Sequence, residues 1–530
     1  MTMSQNAPSA KTIFDELEST FEAGVTKDLI WRKSVLRKCS AMILENHQAW
    51  TDALIEDLGG GEIRAVLEIA DVTAGIDHAL AHMDAWAADR RLGVGDPLAE
   101  IPGLDRRLRR PTPKGVCLTI SAWNLPITIL LSPAVGMIAA GNCVIFKPSE
   151  LAPATAALAE KLIHKYLPRE AFRVVQGGVK ETTALLELPL GHICYTGSTP
   201  VGKVVMAAAA KNLTPCTLEL GGKNPVFVDK SAKLKLAADR IMISKTLNAG
   251  QWCINPDYAL VEESIFDDFV KNIIDKAGQM IGENEQLDPA EGTPRSQKFC
   301  NHIINRRHTE RIMAFLQEDH GGEVICGDLD KCNSEKRFVP FTVVLNPRPD
   351  SKLMREEIFG PIFVILSVKE GAEAALKVFK NVNTTPLALY VYSEDKGYTE
   401  TVLENTTSGS VGVNVTSEQI MSHDVPFGGV GQSGFGSYHG QVGFEEFSHM
   451  RSVMYRTTAL PLMFLPSAMH PVKNAFPPWV HGVIMKKLLK PHLFVPSWWL
   501  KRIVMVGVPV AIGLFLDGQN VLQMYDHSYE

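Results

Sequence analysis

Apolar positions recur at three- and four-residue spacing along the first part of the chain. The stretch "LIWRKSVLRKCSAMI" at 29–43 shows this spacing. Because positions three and four residues apart share one face of an α-helix, the pattern predicts amphipathic helices with one buried side. We therefore expect residues 12–92 to form a helical layer.

After the basic, proline-bounded stretch "RRLRRPTPKG", short apolar runs alternate with longer segments of helical periodicity. Strands that alternate with helices form βαβ units, whose strands lie parallel in one sheet. Two series of such runs follow one another, so the sequence predicts an α/β fold with two doubly wound, Rossmann-like domains. The predicted strands are "GVCLTI", "NCVIFK", "FRVVQ", "HICYT", "PVFVD", "DYALVE", "FTVVL", "IFVILSV", "LALYVYS" and "VGVNV", and the predicted helices between them lie near 153–166, from 200 onward, and near 231–248, 264–281 and 295–317.

Composition narrows the classes of function. The 530 residues are 45% apolar and 21% charged, as expected for a globular protein of two or three domains. A net charge of −6 gives no reason to expect nucleic acid as a partner. The nine cysteines contain no C-x-x-C pair, which indicates neither a zinc site nor a disulfide framework and favours a reducing compartment. The N-terminus lacks the apolar segment of a signal peptide.

The stretch "GSTPVGKV" at 197–204 follows a predicted strand and opens a predicted helix. It nearly matches the phosphate-binding loop of nucleoside triphosphatases. Val204 lacks the hydroxyl that binds magnesium, which disfavours that alternative function. A helix N-terminus still offers backbone N–H groups to an anionic phosphate, and a dinucleotide pyrophosphate would suit it as well as ATP. The residues concerned are Gly197, Ser198, Thr199 and Gly202.

Two other stretches are candidates for a dinucleotide-binding site. "FKPSE" at 146–150 ends a predicted strand, and its Lys147 and Glu150 can reach ribose hydroxyls from there, as an acidic residue does in NAD sites. "GVGQSG" at 429–434 matches the fingerprint G-x-G-x-x-G, but no strand precedes it. We therefore expect a flexible turn at a domain junction there.

Three stretches offer groups for acyl chemistry. Glu219 stands between two leucines in "TLELGGKNP", where a buried carboxylate would have the raised pKa that a general base needs; a residue on the outward face of a strand would give the same pattern. Asn124 in "SAWNLP" either donates to an oxyanion or closes a turn before a proline. Cys253 in "GQWCINPDY" is a candidate nucleophile, although free cysteines are most often buried apolar filler.

Taken together, these stretches resemble the aldehyde dehydrogenase superfamily over roughly residues 12–456. Within it the chain is most similar to the class 3 branch, which includes the fatty aldehyde dehydrogenases. "AAAAKNLTPCTLELGGKNPVFVD" and the C-terminal extension carry that narrower resemblance. The motifs that carry the broader one, in family order, are "AWNLP", "FKPSE", "YTGSTPVGK", "LELGGKNP", "GQWCINPDY", "EEIFGP" and "PFGGVGQSGFGSYHG".

The resemblance implies a role for each matching residue. Cys253 would be the nucleophile, Glu219 the general base and Asn124 the side chain of the oxyanion hole. The residues that would hold the cofactor, NAD or alternatively NADP, are Lys147, Glu150, Gly197, Ser198, Thr199, Gly202, Glu357 and Phe359, the last two from "EEIFGP".

The chain departs from the family pattern at four positions. Ala122 stands where a proline is usual, and Leu125 replaces a common aromatic or apolar residue. Beside the nucleophile, Trp252 stands where threonine is frequent and Asn255 where alanine is frequent. No catalytic group is lost, but Trp252 crowds the aldehyde end of the site.

The same resemblance implies the domains and the partners. The domains would be 1–222 for NAD binding with the N-terminal helices, 223–424 for catalysis, 425–456 for bridging and oligomerisation, and 457–530 for a basic and apolar tail. The substrate would be a long apolar aldehyde, with an apocarotenal or other terpenoid aldehyde as the alternative. A homodimer is expected, and the charge of Glu150 disfavours the 2′-phosphate of NADP.

The C-terminal part of the chain differs in charge from the rest. No Asp or Glu occurs from 447 to 516, while eight Lys and Arg do. The apolar run at 503–516 is shorter than the ~20 residues that span a bilayer. Trp498, Trp499, Lys501 and Arg502 precede it as interfacial anchors do, and the basic segment 480–490 suits an anionic surface.

We therefore predict a C-terminal membrane anchor with the catalytic body in the cytosol, with a buried helix or interfacial segment as the alternative. The expected membrane is that of the endoplasmic reticulum, the mitochondrial outer membrane or a lipid droplet.

Overall fold

Helices open the described part of the chain and recur between the strands of two sheets. The computed structural model describes residues 8–92, 106–281, 301–327, 329–382 and 384–455. The helices are α1 (Ala10–Glu22), α2 (Leu29–Glu45), α3 (His47–Leu58), α4 (Glu62–Ala87), α5 (Pro126–Ala140), α6 (Pro153–Tyr166), α7 (Val179–Leu186), α8 (Thr199–Ala210), α9 (Leu234–Thr246), α10 (Phe266–Ile281), α11 (Arg306–Gln317), α12 (Lys352–Arg355), α13 (Ala372–Val382), α14 (Lys396–Glu404) and α15 (Gly440–Glu446).

The strands assemble into three sheets. They are β1 (Arg90–Arg91), β2 (Arg106–Pro113), β3 (Val116–Ile120), β4 (Cys143–Lys147), β5 (Phe172–Val174), β6 (His192–Thr196), β7 (Cys216–Glu219), β8 (Asn224–Val228), β9 (Pro256–Glu262), β10 (Glu323–Cys326), β11 (Thr342–Leu345), β12 (Ile362–Val368), β13 (Ala388–Tyr392), β14 (Ser410–Val413), β15 (Gly434–Phe435) and β16 (Ser448–Tyr455). The strand order is β15-β7-β6-β3-β4-β5 in the first sheet, β10-β11-β12-β9-β8-β13-β14 in the second and β1-β2-β16 in the third. The predicted α/β fold is thereby confirmed.

The N-terminal helices bury the apolar positions whose spacing predicts them. In α2 the N-terminus is fixed by Asp28, whose carboxylate accepts hydrogen bonds from the backbone N–H groups of Ile30 at 3.1 Å and Trp31 at 3.3 Å. The buried positions of α2 are Arg32, Val35, Leu36, Cys39, Met42 and Ile43. They follow one another at intervals of three and one residues, which places them on one face of the helix.

The first sheet is parallel except for its edge strand β15. The chain lays down β3, β4 and β5 in one direction and then crosses back to add β6 and β7 on the other side of β3. Such a reversal opens a crevice at the carboxyl ends of the two strands that flank it, here β3 and β6. Every residue of β3, β4 and β6 is buried, which explains why these strands form near-continuous apolar runs in the sequence.

The second sheet starts at Asn224, five residues after the first sheet's β7 ends at Glu219. Its neighbouring strands are parallel except for β10, which pairs antiparallel with β11 at the edge. Cys253 lies just before β9, and Phe359 lies just before β12. The candidate residues of this sheet therefore stand at the amino ends of strands, whereas those of the first sheet stand at carboxyl ends.

Six strands, namely β1, β2, β7, β10, β15 and β16, have no counterpart in the list of strands that the sequence predicts, and two of them correct an expectation or have a clear physical reason. The basic stretch forms β2, in which Leu108 is buried and Arg109 lies opposite Arg90 of β1. Exposed arginines on either side of Leu108 hide the apolar alternation that would mark a strand. The segment "GVGQSG" ends in β15, where Gly434 pairs with Glu219 of β7. It therefore packs on the first sheet instead of forming a free turn.

Membrane association was predicted from the C-terminal part of the chain. Within the ranges listed above, no helix combines the length and the apolarity that crossing a membrane requires. Residues 456–530, which include the predicted anchor, lie outside the described residues, as do residues 295–300 at the start of the predicted helix that ends near 317.

Candidate active site

Cys253 lies between the turn Leu247–Gly250 and strand β9, and its side chain is half-buried. Burial, together with the negative charges of Glu357 and Glu219, raises the pKa of its thiol to about 12. Hydrogen bonds from the backbone N–H groups of Cys253 and Ile254 oppose this shift. The thiol is therefore protonated at neutral pH, while two N–H groups stand ready to stabilise negative charge beside it.

Glu219 is the last residue of β7, and only 2% of it is exposed. Within the described residues, neither carboxylate oxygen has a hydrogen-bond partner. Burial, reinforced by the negative charge of Glu446, raises the pKa of this carboxyl well above its ordinary value. A carboxyl in these surroundings keeps its proton to higher pH than an exposed glutamate does, and once ionised it is a stronger base, with two unpartnered oxygens that can accept a hydrogen bond from water.

Asn124 follows β3 and is buried. Its Nδ2 donates to the backbone oxygen of Gln251 at 3.2 Å, and its own backbone oxygen accepts from Nδ2 of Asn248 at 2.8 Å. The first sheet is thereby joined to the turn that leads into Cys253. The structure thus brings three candidate groups together: an amide, a thiol whose pKa Glu219 perturbs, and the Glu219 carboxyl itself.

Lys147 and Glu150 lie at the carboxyl end of β4. The Lys147 ammonium is buried; it donates to the backbone oxygen of Pro148 at 2.8 Å and lies 3.5 Å from a carboxylate oxygen of Glu150. Burial lowers the pKa of Lys147, an effect that Glu150 opposes. Because the side chain of Glu150 is 52% exposed, the pair offers both donors and an acceptor to a sugar at this strand end.

The glycines of the predicted phosphate loop permit close packing at the start of α8. A Cβ added to Gly197 would collide with the Tyr195 hydroxyl, and one added to Gly202 would lie 2.8 Å from Cδ2 of Leu220. A side chain at either position would therefore force Tyr195 or Leu220 to move. The N-terminus of α8 stands at the crevice between β3 and β6, where its N–H groups can receive a phosphate.

Ser198 is the N-cap residue of α8, and Thr199 is its first residue. Thr199 Oγ1 donates to the backbone oxygen of Gln432 at 3.2 Å, so the "GVGQSG" segment packs against this helix start. Val204 is exposed on α8 and leaves no hydroxyl where a triphosphatase needs one.

Glu357 and Phe359 precede β12. Glu357 accepts a hydrogen bond from the backbone N–H of Gly222 at 3.1 Å, and burial next to Asp257 raises the pKa of its carboxyl to about 8. Phe359 has a φ of 49°, and its ring meets that of Trp123 edge-on at 5.5 Å between centroids. Trp123 follows β3 and is next to Asn124 in the chain. Phe359 therefore lies near Asn124, at the carboxyl end of β3.

Sequence reasoning overlooked a buried ion pair that supports this region. Lys223 Nζ donates to Oδ2 of Asp257 at 2.8 Å and to the backbone oxygen of Glu356 at 3.0 Å. The same Asp257 oxygen accepts from the backbone N–H of Ile358 at 3.2 Å. The pair fixes the segment before β12 to the start of β9. The sequence did contain a signal for this pair, since Lys223 in "GGKNP" and Asp257 in "NPDY" are charged residues beside apolar runs.

Comparison with known sequences points to one family. The model described as "Aldehyde dehydrogenase family" matches residues 3–453. The chain is similar to aldehyde dehydrogenase family 3 member A2 of Rattus norvegicus, with 39% identity over 445 residues, which are 83% of this chain and 87% of that protein. It is also similar to the dimeric NADP-preferring aldehyde dehydrogenase of Canis lupus familiaris, with 38% identity over 84% of this chain and 94% of that protein.

A solved structure extends the likeness to three dimensions. The substrate-bound state of Staphylococcus aureus AldH superposes with a TM-score of 0.81 at 32% sequence identity, and the match covers 91% of this chain and 100% of that one.

We predict that Glu446→Gln lowers the pKa of the Glu219 carboxyl. The Glu446 charge disfavours ionised Glu219, so its removal makes ionisation easier and moves the titration to lower pH. The carboxylic acid band in infrared difference spectra measures this titration, and loss of the band in Glu219→Gln assigns it. Glu445→Gln is the matched control, since Glu445 is equally exposed at 28% but pairs with Arg90. Equal shifts in both variants would contradict the prediction.

Proposed function

Because the chain belongs to the aldehyde dehydrogenase family, we propose that it oxidises long-chain, apolar aldehydes to carboxylic acids through a thioester on Cys253. As a member of that family it is an oxidoreductase that acts on aldehydes. The observation that carries the proposed chemistry is the meeting of a half-buried thiol at Cys253 with a buried, unpartnered carboxyl at Glu219.

In the first step the sulfur of Cys253 forms a bond to the aldehyde carbon after its proton has passed to water in the crevice. The carbonyl oxygen becomes an anion, which the Cys253 backbone N–H and the Asn124 amide can hold. Nδ2 of Asn124 has two hydrogens and uses one of them on Gln251, so the second is available to the oxyanion.

Oxidation needs a nicotinamide dinucleotide, which accepts the hydride from the aldehyde carbon when bound. Glu150 and Lys147 would hold its ribose, and the N-terminus of α8 its pyrophosphate. Glu357 and Phe359 would steady the nicotinamide half. The negative charge of Glu150 supports NAD; NADP stays the alternative because the carboxylate is half-exposed and therefore screened.

In the second step Glu219 takes a proton from water, and the water oxygen attacks the thioester carbon. The carbon–sulfur bond then breaks and releases the carboxylic acid, and the proton held by Glu219 passes to the departing sulfur, which restores the thiol of Cys253 and the carboxylate of Glu219. The raised pKa of Glu219 supports this role, because its carboxylate accepts a proton from water more readily than that of an exposed glutamate does.

Two observations support a long apolar substrate. The relatives include family 3 members of rat and Arabidopsis thaliana, in keeping with the resemblance to the class 3 branch, which includes the fatty aldehyde dehydrogenases. Trp252 lies half-buried beside Cys253 and offers an apolar wall at the aldehyde end. A terpenoid aldehyde such as an apocarotenal is the competing substrate.

The proposal extends to assembly and location. A homodimer is supported by the relative whose name calls it dimeric. The acid-free, partly apolar sequence from 447 to 516 supports a C-terminal anchor that would bring the enzyme to aldehydes dissolved in a membrane. Domain limits at 222/223 and 424/425 remain part of the proposal.

The catalytic roles are tested by paired variants. Cys253→Ala should abolish aldehyde oxidation while cofactor binding persists, whereas Cys216→Ala, at another half-buried cysteine, should leave activity intact. Glu219→Gln should slow thioester hydrolysis but preserve a burst of reduced cofactor, measured by stopped-flow absorbance. Complete loss of both the burst and the steady state in Glu219→Gln would show that its role is misassigned.

The substrate class is tested with saturated aldehydes of increasing chain length. We expect kcat/KM to rise with each added methylene, because each buried CH₂ contributes about 0.8 kcal/mol to binding. Equal kcat/KM for short and long chains would rule out the fatty-aldehyde assignment. A terpenoid aldehyde that outperforms a saturated aldehyde of equal length would favour the competing substrate.

The anchor is tested by deletion of residues 492–530. The truncated protein should move from the membrane fraction to the soluble fraction, with turnover of a short, soluble aldehyde nearly unchanged. The anchor is wrong if the truncated protein still sediments with membranes or if the full chain never does.

A further inference from the structure

A continuous series of buried polar contacts joins helix α4 to the turn before Cys253. Arg64 of α4 is 2% exposed. Its Nε donates to a carboxylate oxygen of Glu68 at 3.2 Å, and its Nη1 donates to Oδ1 of Asn248 at 3.1 Å. A residue of the N-terminal helical layer therefore reaches the turn Leu247–Gly250 directly, across 184 positions of sequence.

Glu68 links the same pair to the segment that contains Asn124. Its second carboxylate oxygen accepts from the backbone N–H groups of Ile127 at 2.9 Å and Thr128 at 3.2 Å. These are orphan donors in the first turn of α5, which begins two residues after Asn124. The Glu68 carboxylate thus fixes the helix start while it orients the Arg64 guanidinium.

Asn248 completes the connection at the site itself. Its Nδ2 donates both to the backbone oxygen of Asn124 at 2.8 Å and to that of Gln251 at 3.2 Å. Nδ2 of Asn124 donates to the same Gln251 oxygen. The orientation of the Asn124 amide is therefore set by a carbonyl that lies two residues before Cys253 and that Asn248 also holds.

The turn needs such external support. Asn248 has a φ of 54°, Ala249 a φ of 51° and Gly250 a φ of 73°, so three consecutive residues are in the left-handed region. This conformation is unfavourable for a residue with a side chain and persists only where surrounding contacts fix it. The Arg64–Asn248 hydrogen bond is one of those contacts.

We propose that Arg64, oriented by Glu68, is a positioning residue for aldehyde oxidation that acts through Asn248 on the Asn124 amide. The inference rests on the proposed function, in which Asn124 donates to the oxyanion. A buried ion pair is weak evidence for a contribution to stability, since apolar replacements are often as stable. Within the described residues, Nη2 of Arg64 also lacks a partner, so the guanidinium is not fully satisfied by the fold.

Arg32 supplies a matched control. It is also a buried arginine, 7% exposed, and its guanidinium donates to three backbone oxygens, those of Thr26, Lys27 and Ala139. None of these three belongs to the candidate site. A variant at this position should report the cost of disturbing a buried guanidinium without disturbing the chemistry.

The first test compares Arg64→Lys with Arg32→Lys in the full-length protein. A single ammonium cannot reproduce the planar fork that reaches Glu68 and Asn248 together, so the Arg64 variant should lose kcat on the order of 10²-fold. The KM for the cofactor should stay unchanged. Arg32→Lys should leave kcat at the wild-type value even where it lowers the melting temperature as much. Unchanged kcat in a folded Arg64→Lys protein would overturn the proposal.

The second test is a double-mutant cycle, which also serves if Arg64→Lys fails to fold. Asn248→Gly tolerates the left-handed backbone but removes the bridging amide. Alone it should lower kcat, whereas in an Asn124→Ala background it should cause no further loss, because both act through one group. Losses that multiply would show that Asn248 does not act through Asn124, and the proposal would fail.

The cycle separates this failure from failure of the proposed function. Asn124→Ala alone should lower kcat on the order of 10²–10³-fold if it donates to the oxyanion. No loss in that single variant would refute the oxyanion role, and the positioning role with it. A full loss there, combined with wild-type kcat in Asn248→Gly, would refute positioning alone.

Discussion

The reversal of strand order between β3 and β6 is the constraint on which the rest of the structure depends. Parallel strands connected by helices place their carboxyl ends at one edge, and the reversal leaves that edge uncovered at a single crevice. Asn124 follows β3, and the N-terminus of α8 follows β6. The second sheet meets this edge with the amino ends of its strands, so Cys253 reaches the site from the opposite direction. The first sheet thus contributes the carboxyl ends of its strands to the candidate site, and the second sheet contributes the amino ends.

Burial and negative charge in this region favour the protonated forms of the Cys253 thiol and the Glu357 carboxyl. The pKa values of Cys253, at about 12, and Glu357, at about 8, are both raised by burial and by neighbouring carboxylates. A thiol in that state resists oxidation, because the thiolate is the species that reacts. In this structure the candidate nucleophile Cys253 is therefore little reactive towards oxidants.

The features predicted correctly from the sequence are those that depend on residues close together in the chain. Strands buried on both faces appear as apolar runs, and α6 occupies the predicted span 153–166. The stretch 197–204 was predicted to follow a strand and open a helix, and α8 does begin there, at Thr199. Strand β2 escaped prediction because its arginines mask a single buried leucine. The role of Arg64 could not be predicted, because no residue near it in the sequence indicates a partner at Asn248. A hydrogen bond between distant segments does not change the spacing of apolar residues along the chain.

The pairing of β15 with β7 has a consequence for the order in which contacts around Glu219 can form during synthesis. Gly434 lies opposite Glu219, yet it follows Glu219 by 215 residues in the chain. At the usual pace of 5–20 residues per second, a ribosome needs roughly 10–40 s to make that stretch. Until then the edge of β7 lacks its β15 partner. The pairing that covers Glu219 from the side of β15 can therefore form only after residue 434 has been added.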